Sequence, residues 1–199
     1  MIVAGLDVAT TTGLAILEGD KCLHWEAHRP KGKDDCEIFH GYRTWLRSTL
    51  VAFGVEHVGM EEPLPTNLEK TEIVFSQSDA FSSKARKIKR PMTSMATYRR
   101  LYGLAAHTRE ICFALNIPVE EVNQREWRHA FLGVRGAPKG TSDSSAWLKD
   151  RAVQQCQRIG FQITKKDAAE AAGVAFWLQG HLKMEGAGIR PGDLFARSA

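Results

Sequence analysis

Three acidic positions fall where apolar segments stop or start. Asp7 closes Met1–Leu6, Glu61 closes Val55–Met60, and Asp167 opens an alanine-rich run with Glu170 three residues behind it. That i,i+3 spacing puts Asp167 and Glu170 on one face of a helix. Glu62 stands beside Glu61 and is its equal on spacing alone. Segments that end beside one another in a sheet would bring these carboxylates within a few ångströms. Like charges that close repel strongly and are tolerated with a cation between them. Hard oxygen ligands suit Mg²⁺, and Mn²⁺ can substitute. Two such ions roughly 4 Å apart activate a water and stabilise the leaving oxygen in phosphodiester cleavage. Each acid also has a plainer reading. Asp7 can serve as a turn former for the threonines that follow it, Glu61 as a solvated strand end, and Asp167 and Glu170 as acids favoured by a helix N-terminus.

The charge distribution supplies the other half of such a chemistry. Residues 1–83 carry 7 Lys/Arg against 13 Asp/Glu, a net of −6, and residues 84–199 carry 20 against 10, a net of +10. The steepest stretch is 84–100, KARKIKRPMTSMATYRR, with seven basic residues and no acid. An acidic half that gathers metal and a basic half that grips a polyanion fit one substrate class, nucleic acid. Lys84, Arg86, Lys87, Lys89 and Arg90 are the candidate phosphate contacts. Phe75 and Phe81 just before them are candidate wedges or stacking residues.

The elements that must position these groups follow from periodicity. Met1–Leu6, Leu14–Leu17 and Lys21–Ala27 read as a three-strand meander with turns at Thr10–Gly13 and Gly19-Asp20. Asp34 and Asp35 offer an N-cap to a helix whose apolar residues recur from Ile38 to Phe53 and which Gly54 closes. Val55–Met60 is a short buried strand. Residues 63–93, with three prolines, read as a long basic loop with a short helix at most. A helix from Ser94 to near Asn116 buries Tyr98, Leu101, Tyr102, Leu104, Ala105, Ile111 and Phe113. Then come a strand at Pro118–Val122, a short helix at Gln124–Leu132, a flexible basic loop at Gly133–Thr141, a helix from Asp143 to about Ile159, and a last helix from Lys166 to about Lys183. The order β-β-β-α-β-α-β-α-α-α implies an α/β fold, a mixed sheet flanked by helices.

Composition narrows the class. The chain has 199 residues, 43% hydrophobic and 25% charged, ordinary for a globular protein. No window approaches the roughly 20 apolar residues of a spanning helix, and the N-terminal stretch lacks the basic start of a secretory signal. A cytoplasmic protein with no membrane partner is the expectation. The cysteines at 22, 36, 112 and 156 form no CxxC pair and read as reduced thiols.

These residues resemble a known family. GLDVATTTGLAIL is similar to the first-strand motif of the RuvC-like Holliday junction resolvases, where an Asp ends strand one and a Gly begins strand two. VGMEEPLP resembles their fourth-strand motif, which ends in Glu. KKDAAEAAGVAFWL resembles their last helix, and GVRGAPKGTSDSSAWLKDRAVQQC their glycine-and-lysine loop leading into a helix. The likeness spans about four-fifths of the chain. It implies an RNase H-like fold over residues 1–183, a five-stranded mixed sheet with three antiparallel and two parallel strands, and a mobile tail at 184–199. It also implies a homodimeric, Mg²⁺-dependent endodeoxyribonuclease that resolves four-way DNA junctions. Carried over by position, the metal ligands are Asp7, Glu61, Asp167 and Glu170, for two ions by analogy with two-metal sites, and Lys139 stands near the scissile phosphate.

The chain departs from the family in three places. Val8-Ala9 replaces the usual Pro-Gly after the first Asp, Glu170 stands where Asp is more usual, and 63–93 is longer and more basic. Three other functions compete. One is an RNase H-like nuclease for other branched DNA, and another is a non-catalytic nucleic-acid-binding protein on the same fold. The third is an actin-like or sugar-kinase-like phosphotransferase, whose first hairpin also reads Asp-x-x-Thr-Thr but which needs a second lobe.

Overall fold

The computed structural model of the protein describes residues 1–63, 65, 69–75, 85–91 and 93–186. Twelve elements are found among them. The strands β1 (Ile2–Asp7), β2 (Thr12–Glu18) and β3 (Lys21–His28) form the antiparallel meander. Helix α1 (Asp35–Ala52) follows, then strand β4 (His57–Glu61), strands β5 (Glu69–Phe75) and β6 (Ala85–Pro91), and helix α2 (Met95–Ala114). Strand β7 (Val119–Val122) leads into α3 (Gln124–Leu132), α4 (Ser144–Arg158) and α5 (Lys166–Gly186). The main sheet has the order β3-β2-β1-β4-β7, with β4 and β7 parallel to β1. This is the expected α/β architecture.

Period-2 alternation sorts the strand residues onto two faces. Ala4, Leu6, Leu14, Ile16 and Val58 pack with Tyr42, Leu46 and Leu50 of α1 and with Leu104 and Ile111 of α2. Val3, Ala15, Leu17 and Val122 face the other way, onto Trp127 and Phe131 of α3, Leu148 and Ala152 of α4, and the alanine face of α5. Side-chain caps start the helices where the sequence places them: Asp34 accepts from the Glu37 amide, Ser94 from Thr97, Asn123 from Arg125 and Asp143 from Ala146. Gly54, at φ 60°, follows α1, and Gly133, at φ 71°, ends α3 in the left-handed region that glycine tolerates.

Three expectations are corrected. Within 63–93, the residues Glu69–Phe75 and Ala85–Pro91 pair antiparallel as a two-stranded ribbon, with Phe75 opposite Ala85. The prolines misled because Pro63 and Pro65 precede the ribbon and Pro91 stands at its last position, so none interrupts the β-prone Thr71–Phe75 run. On α2, Phe113 is 84% exposed and Tyr102 43%. The inward stripe runs instead through Leu104, Ala105, Thr108, Ile111 and Cys112, and Thr108 shares a 2.6 Å hydrogen bond with the buried Tyr42 hydroxyl. Helix α5 continues to Gly186, past Lys183, and residues 187–199 lie outside the described ones. All four cysteines are unpaired, and burial pushes the Cys112 and Cys156 thiols up to about 12, away from thiolate chemistry.

The contact that sets the rest is between α5 and the β1–β2 hairpin. A Cβ on Gly5 would lie 2.1 Å from the Ala171 carbonyl oxygen and 2.4 Å from the Ala175 nitrogen. A Cβ on Gly13 would lie 2.0 Å from the Asp167 carbonyl oxygen. Glycine at both positions lets helix backbone rest on strand backbone. Gly59 on β4 is less tight, its virtual Cβ 3.1 Å from the Val174 Cγ1. No helix among the described residues is long and apolar enough to cross a membrane.

Gly5→Ala and Gly13→Ala are expected to cost more than about 3 kcal/mol each, because backbone cannot rotate out of the way. Gly59→Ala meets a side chain and should cost roughly 1–2 kcal/mol. Urea unfolding followed by circular dichroism gives the order directly. Equal midpoints for all three variants would contradict the backbone-contact account.

Candidate active site

The register of β1 and β4 aligns Leu6 with Met60, so Asp7 and Glu61 end adjacent parallel strands side by side. The Gly13 contact brings the first turn of α5 over the same strand ends. As a result Asp7, Asp167 and Glu170 each offer a carboxylate oxygen within 4.8 Å of one another. Glu61 and Glu170 are buried, at 9% and 4% exposure, and both line a cleft of about 180 Å³ together with Asp7. The β1–β2 turn above Asp7 is held by buried Thr12, whose hydroxyl donates to the Ala9 carbonyl at 3.0 Å.

Helix α3 fixes Glu61 from the far side. Gln124 Nε2 donates to one carboxylate oxygen at 2.5 Å and the Trp127 indole N–H to the other at 2.8 Å. Arg128, its guanidinium over the Trp127 ring, donates to Gln124 Oε1 at 2.9 Å and lies 3.5 Å from Glu170. From α4, Lys149 donates to Asp167 and stands 3.3 Å from Glu170. The exposed Glu62 accepts from Asn123 at 3.1 Å.

Four carboxylates thus meet two cations, which leaves two negative charges when all are ionised. Burial raises the Asp7 carboxyl well above its ordinary range, and the charges of Glu61, Glu170 and Asp167 push it further, with Lys149 pulling back. Burial also raises Glu61, against the hydrogen bonds of Gln124 and Trp127 and the charge of Arg128. For Lys149 burial opposes the ammonium form, but the hydrogen bond to Asp167 and the charges of Glu170 and Asp7 outweigh it and hold its pKa above the usual value. A cluster of oxygen donors with residual negative charge fits a hard divalent cation. The acids that could hold one are Asp7, Asp167 and Glu170, with Glu61 beside Asp7.

The structure brings Asp7, Glu61, Asp167 and Glu170 together. It leaves Lys139 in an exposed turn of the 133–143 loop, away from the cleft wall, where Lys149 stands instead. Arg86, Lys87, Lys89 and Arg90 lie on β6 and Phe75 on β5, while Phe81 and Lys84 lie outside the described residues. Sequence reasoning missed Gln124, Trp127, Arg128 and Lys149. A signal was present. Arg128 falls between Trp127 and Phe131, and Lys149 between Leu148 and Ala152, so both are cations on the inward stripe of an amphipathic helix.

Solved structures share this arrangement of elements. RuvC from Thermus thermophilus aligns over 93% of this chain and 97% of its own, with a TM-score of 0.62 at 17% identity. T. thermophilus RuvC in complex with a Holliday junction substrate aligns over 92% and 96%, with a TM-score of 0.64 at 15% identity. The chain has the RuvC fold. No protein-family model matches the sequence, and no curated protein matches it significantly. The likeness to RuvC therefore lies in the path of the backbone.

Two consequences are measurable. Because Asp7 and Glu61 are raised in the folded state, the native protein holds more protons than the unfolded chain, so their share of stability is present at low pH and falls as pH rises above the ordinary carboxylate range. In chelator, the Tm of Asp7→Asn should exceed that of the wild type by a margin that grows from pH 5 to pH 8, where about 1 kcal/mol corresponds to roughly 2–4 °C. A margin that shrinks over that range would refute the charge-cluster account. Trp127→Phe keeps an aromatic ring but removes one donor to buried Glu61 and leaves part of the indole's space empty; calorimetry should register a loss of about 2–4 kcal/mol.

Proposed function

We propose that the chain is a divalent-metal-dependent endodeoxyribonuclease that resolves four-way DNA junctions by paired phosphodiester hydrolysis. The observation that carries this reading is the convergence of Asp7, Glu61, Asp167 and Glu170 at one end of the sheet. The RuvC fold supports it, since one of the aligned proteins is bound to a Holliday junction.

In this reading Asp7, Asp167, Glu170 and Glu61 hold Mg²⁺, or Mn²⁺ in its place, as two ions. Such ions supply an activated water and neutralise charge on the leaving oxygen. The rest is the work of the chain itself. Gln124 and Trp127 each hold one Glu61 oxygen, so the carboxylate is fixed in place before substrate arrives. Lys149 is the point charge beside the reacting phosphate, the role that the family resemblance gives to Lys139. Lys139 in its exposed loop contacts the flanking backbone. Lys84, Arg86, Lys87, Lys89 and Arg90 bind phosphates, with Phe75 and Phe81 at the junction centre.

Symmetric incisions need two sites related by a two-fold axis, hence a homodimer. Met95, Tyr102 and Phe113 of α2 support this: their spacings of seven and eleven residues align them on one exposed line of the helix, flanked by Arg99 and Arg109, that a second copy would cover.

The test is a labelled four-way junction, a linear duplex and a flap incubated with protein and Mg²⁺. Paired nicks on the junction are expected, and Asp7→Asn should lower the rate at least about 100-fold with junction affinity nearly intact. Cleavage of junction and flap alike would redirect the reading to a nuclease for other branched DNA, and equal cleavage of the linear duplex to one without structural preference. An Asp7→Asn variant that cuts at the wild-type rate would remove the site.

A further inference from the structure

A second pocket opens at the same end of the sheet. It has a volume of about 510 Å³ and is bordered by Thr10, Arg29, Lys31, Lys33 and Arg100. Strand β3 pairs its last residue, His28, with Thr12, and Asp7 pairs with Gly13, so the RPKGK loop after β3 leaves the sheet beside the catalytic strand ends. Two strand spacings separate β3 from β1, roughly 10 Å.

The loop is built rather than slack. Gly32 packs on the first turn of α1, where a Cβ would come within 2.7 Å of the Ile38 nitrogen. The Lys33 amide donates to Glu37 Oε2 at 2.8 Å. The neighbouring acids are already engaged: Asp34 caps α1 through the Glu37 amide, and Asp35 takes Arg100 at 2.7 Å. Arg29, Lys31 and Lys33 are exposed, and their side chains have no ion-pair partner among the described residues. Three unneutralised cations around a concave floor, beside a threonine hydroxyl, form a receptor for phosphate oxygens.

The geometry points to Arg29, Lys31 and Lys33, with Thr10, as a backbone-phosphate subsite that grips the DNA strand a short distance from the scissile bond. This rests on the nuclease reading and deepens it. It assigns a grip on the β3 side of the cleft, separate from the basic residues of β6.

The experiment compares the full chain with Arg29→Ala/Lys31→Ala/Lys33→Ala. The control, Lys21→Ala/Arg158→Ala/Lys183→Ala, removes equal charge from element ends that point away from the cleft. Binding of a labelled four-way junction is followed by fluorescence anisotropy from 50 to 200 mM salt in chelator, so that no strand is cut. Each lost phosphate contact lowers the slope of log K against log salt by about 0.9. The loop variant should therefore bind with a slope shallower by roughly 2–3, and the control with the wild-type slope. The Tm rise of the loop variant on adding Mg²⁺ should equal that of the wild type, because the acids are untouched. A loop variant with the wild-type slope and affinity, or a control that loses as much, overturns the subsite while the nuclease reading stands. A wild-type chain that binds no DNA overturns both.

Discussion

Helix backbone lying directly on strand backbone is the constraint from which the rest of this molecule follows. Gly5 and Gly13 give up side chains so that α5 can settle on β1 and β2. The alanines of α5 continue the same close approach along the helix. Had the interface been built from leucines and isoleucines, helix and sheet would stand farther apart. The first turn of α5 would then lift away from the strand ends, and Asp167 and Glu170 would no longer share a space with Asp7. Tight packing and the acidic cluster are one piece of architecture.

That cluster is an electrostatic liability that the surrounding helices contain. Helix α3 satisfies both Glu61 oxygens, and Lys149 and Arg128 reach Asp167 and Glu170 from α4 and α3. Breaking such a network leaves an uncompensated buried charge, which costs more than the network itself contributes. Three of the four carboxylates are pinned by partners on α3 and α4, Glu61 by Gln124 and Trp127, Asp167 by Lys149, and Glu170 by Arg128 and Lys149. A preorganised cluster of this kind places its donors before substrate arrives, and preorganisation is where most electrostatic catalysis originates.

Much of this was legible in the residues. Apolar runs broken by turns marked β1 and β2, Asp34, Ser94 and Asp143 marked three helix starts, and acids at the ends of apolar runs marked the cluster. The β5–β6 ribbon was not legible, because seven of its fourteen residues are charged and look like those of a loop. Lys149 was passed over for a related reason. A lysine in a glycine-rich loop draws notice, whereas one on a helix is taken for solvated until its neighbours on the inward stripe are counted. Gly5 gave no signal, and Gly13 was read only as a turn and motif residue, since a glycine needed for close approach looks like any other until the opposing backbone is known.

The borders of the main sheet carry a last implication. β7 has only four residues, two of them glutamates, and the pairing of β2 with β3 is broken by a register shift between Ile16 and Leu17. Short, charged or irregular margins resist lateral recruitment of another strand. The five-stranded sheet is thus closed to growth by ladder extension, and fibrillar stacking through it is disfavoured. Higher-order assembly is left to the outward side chains of the helices.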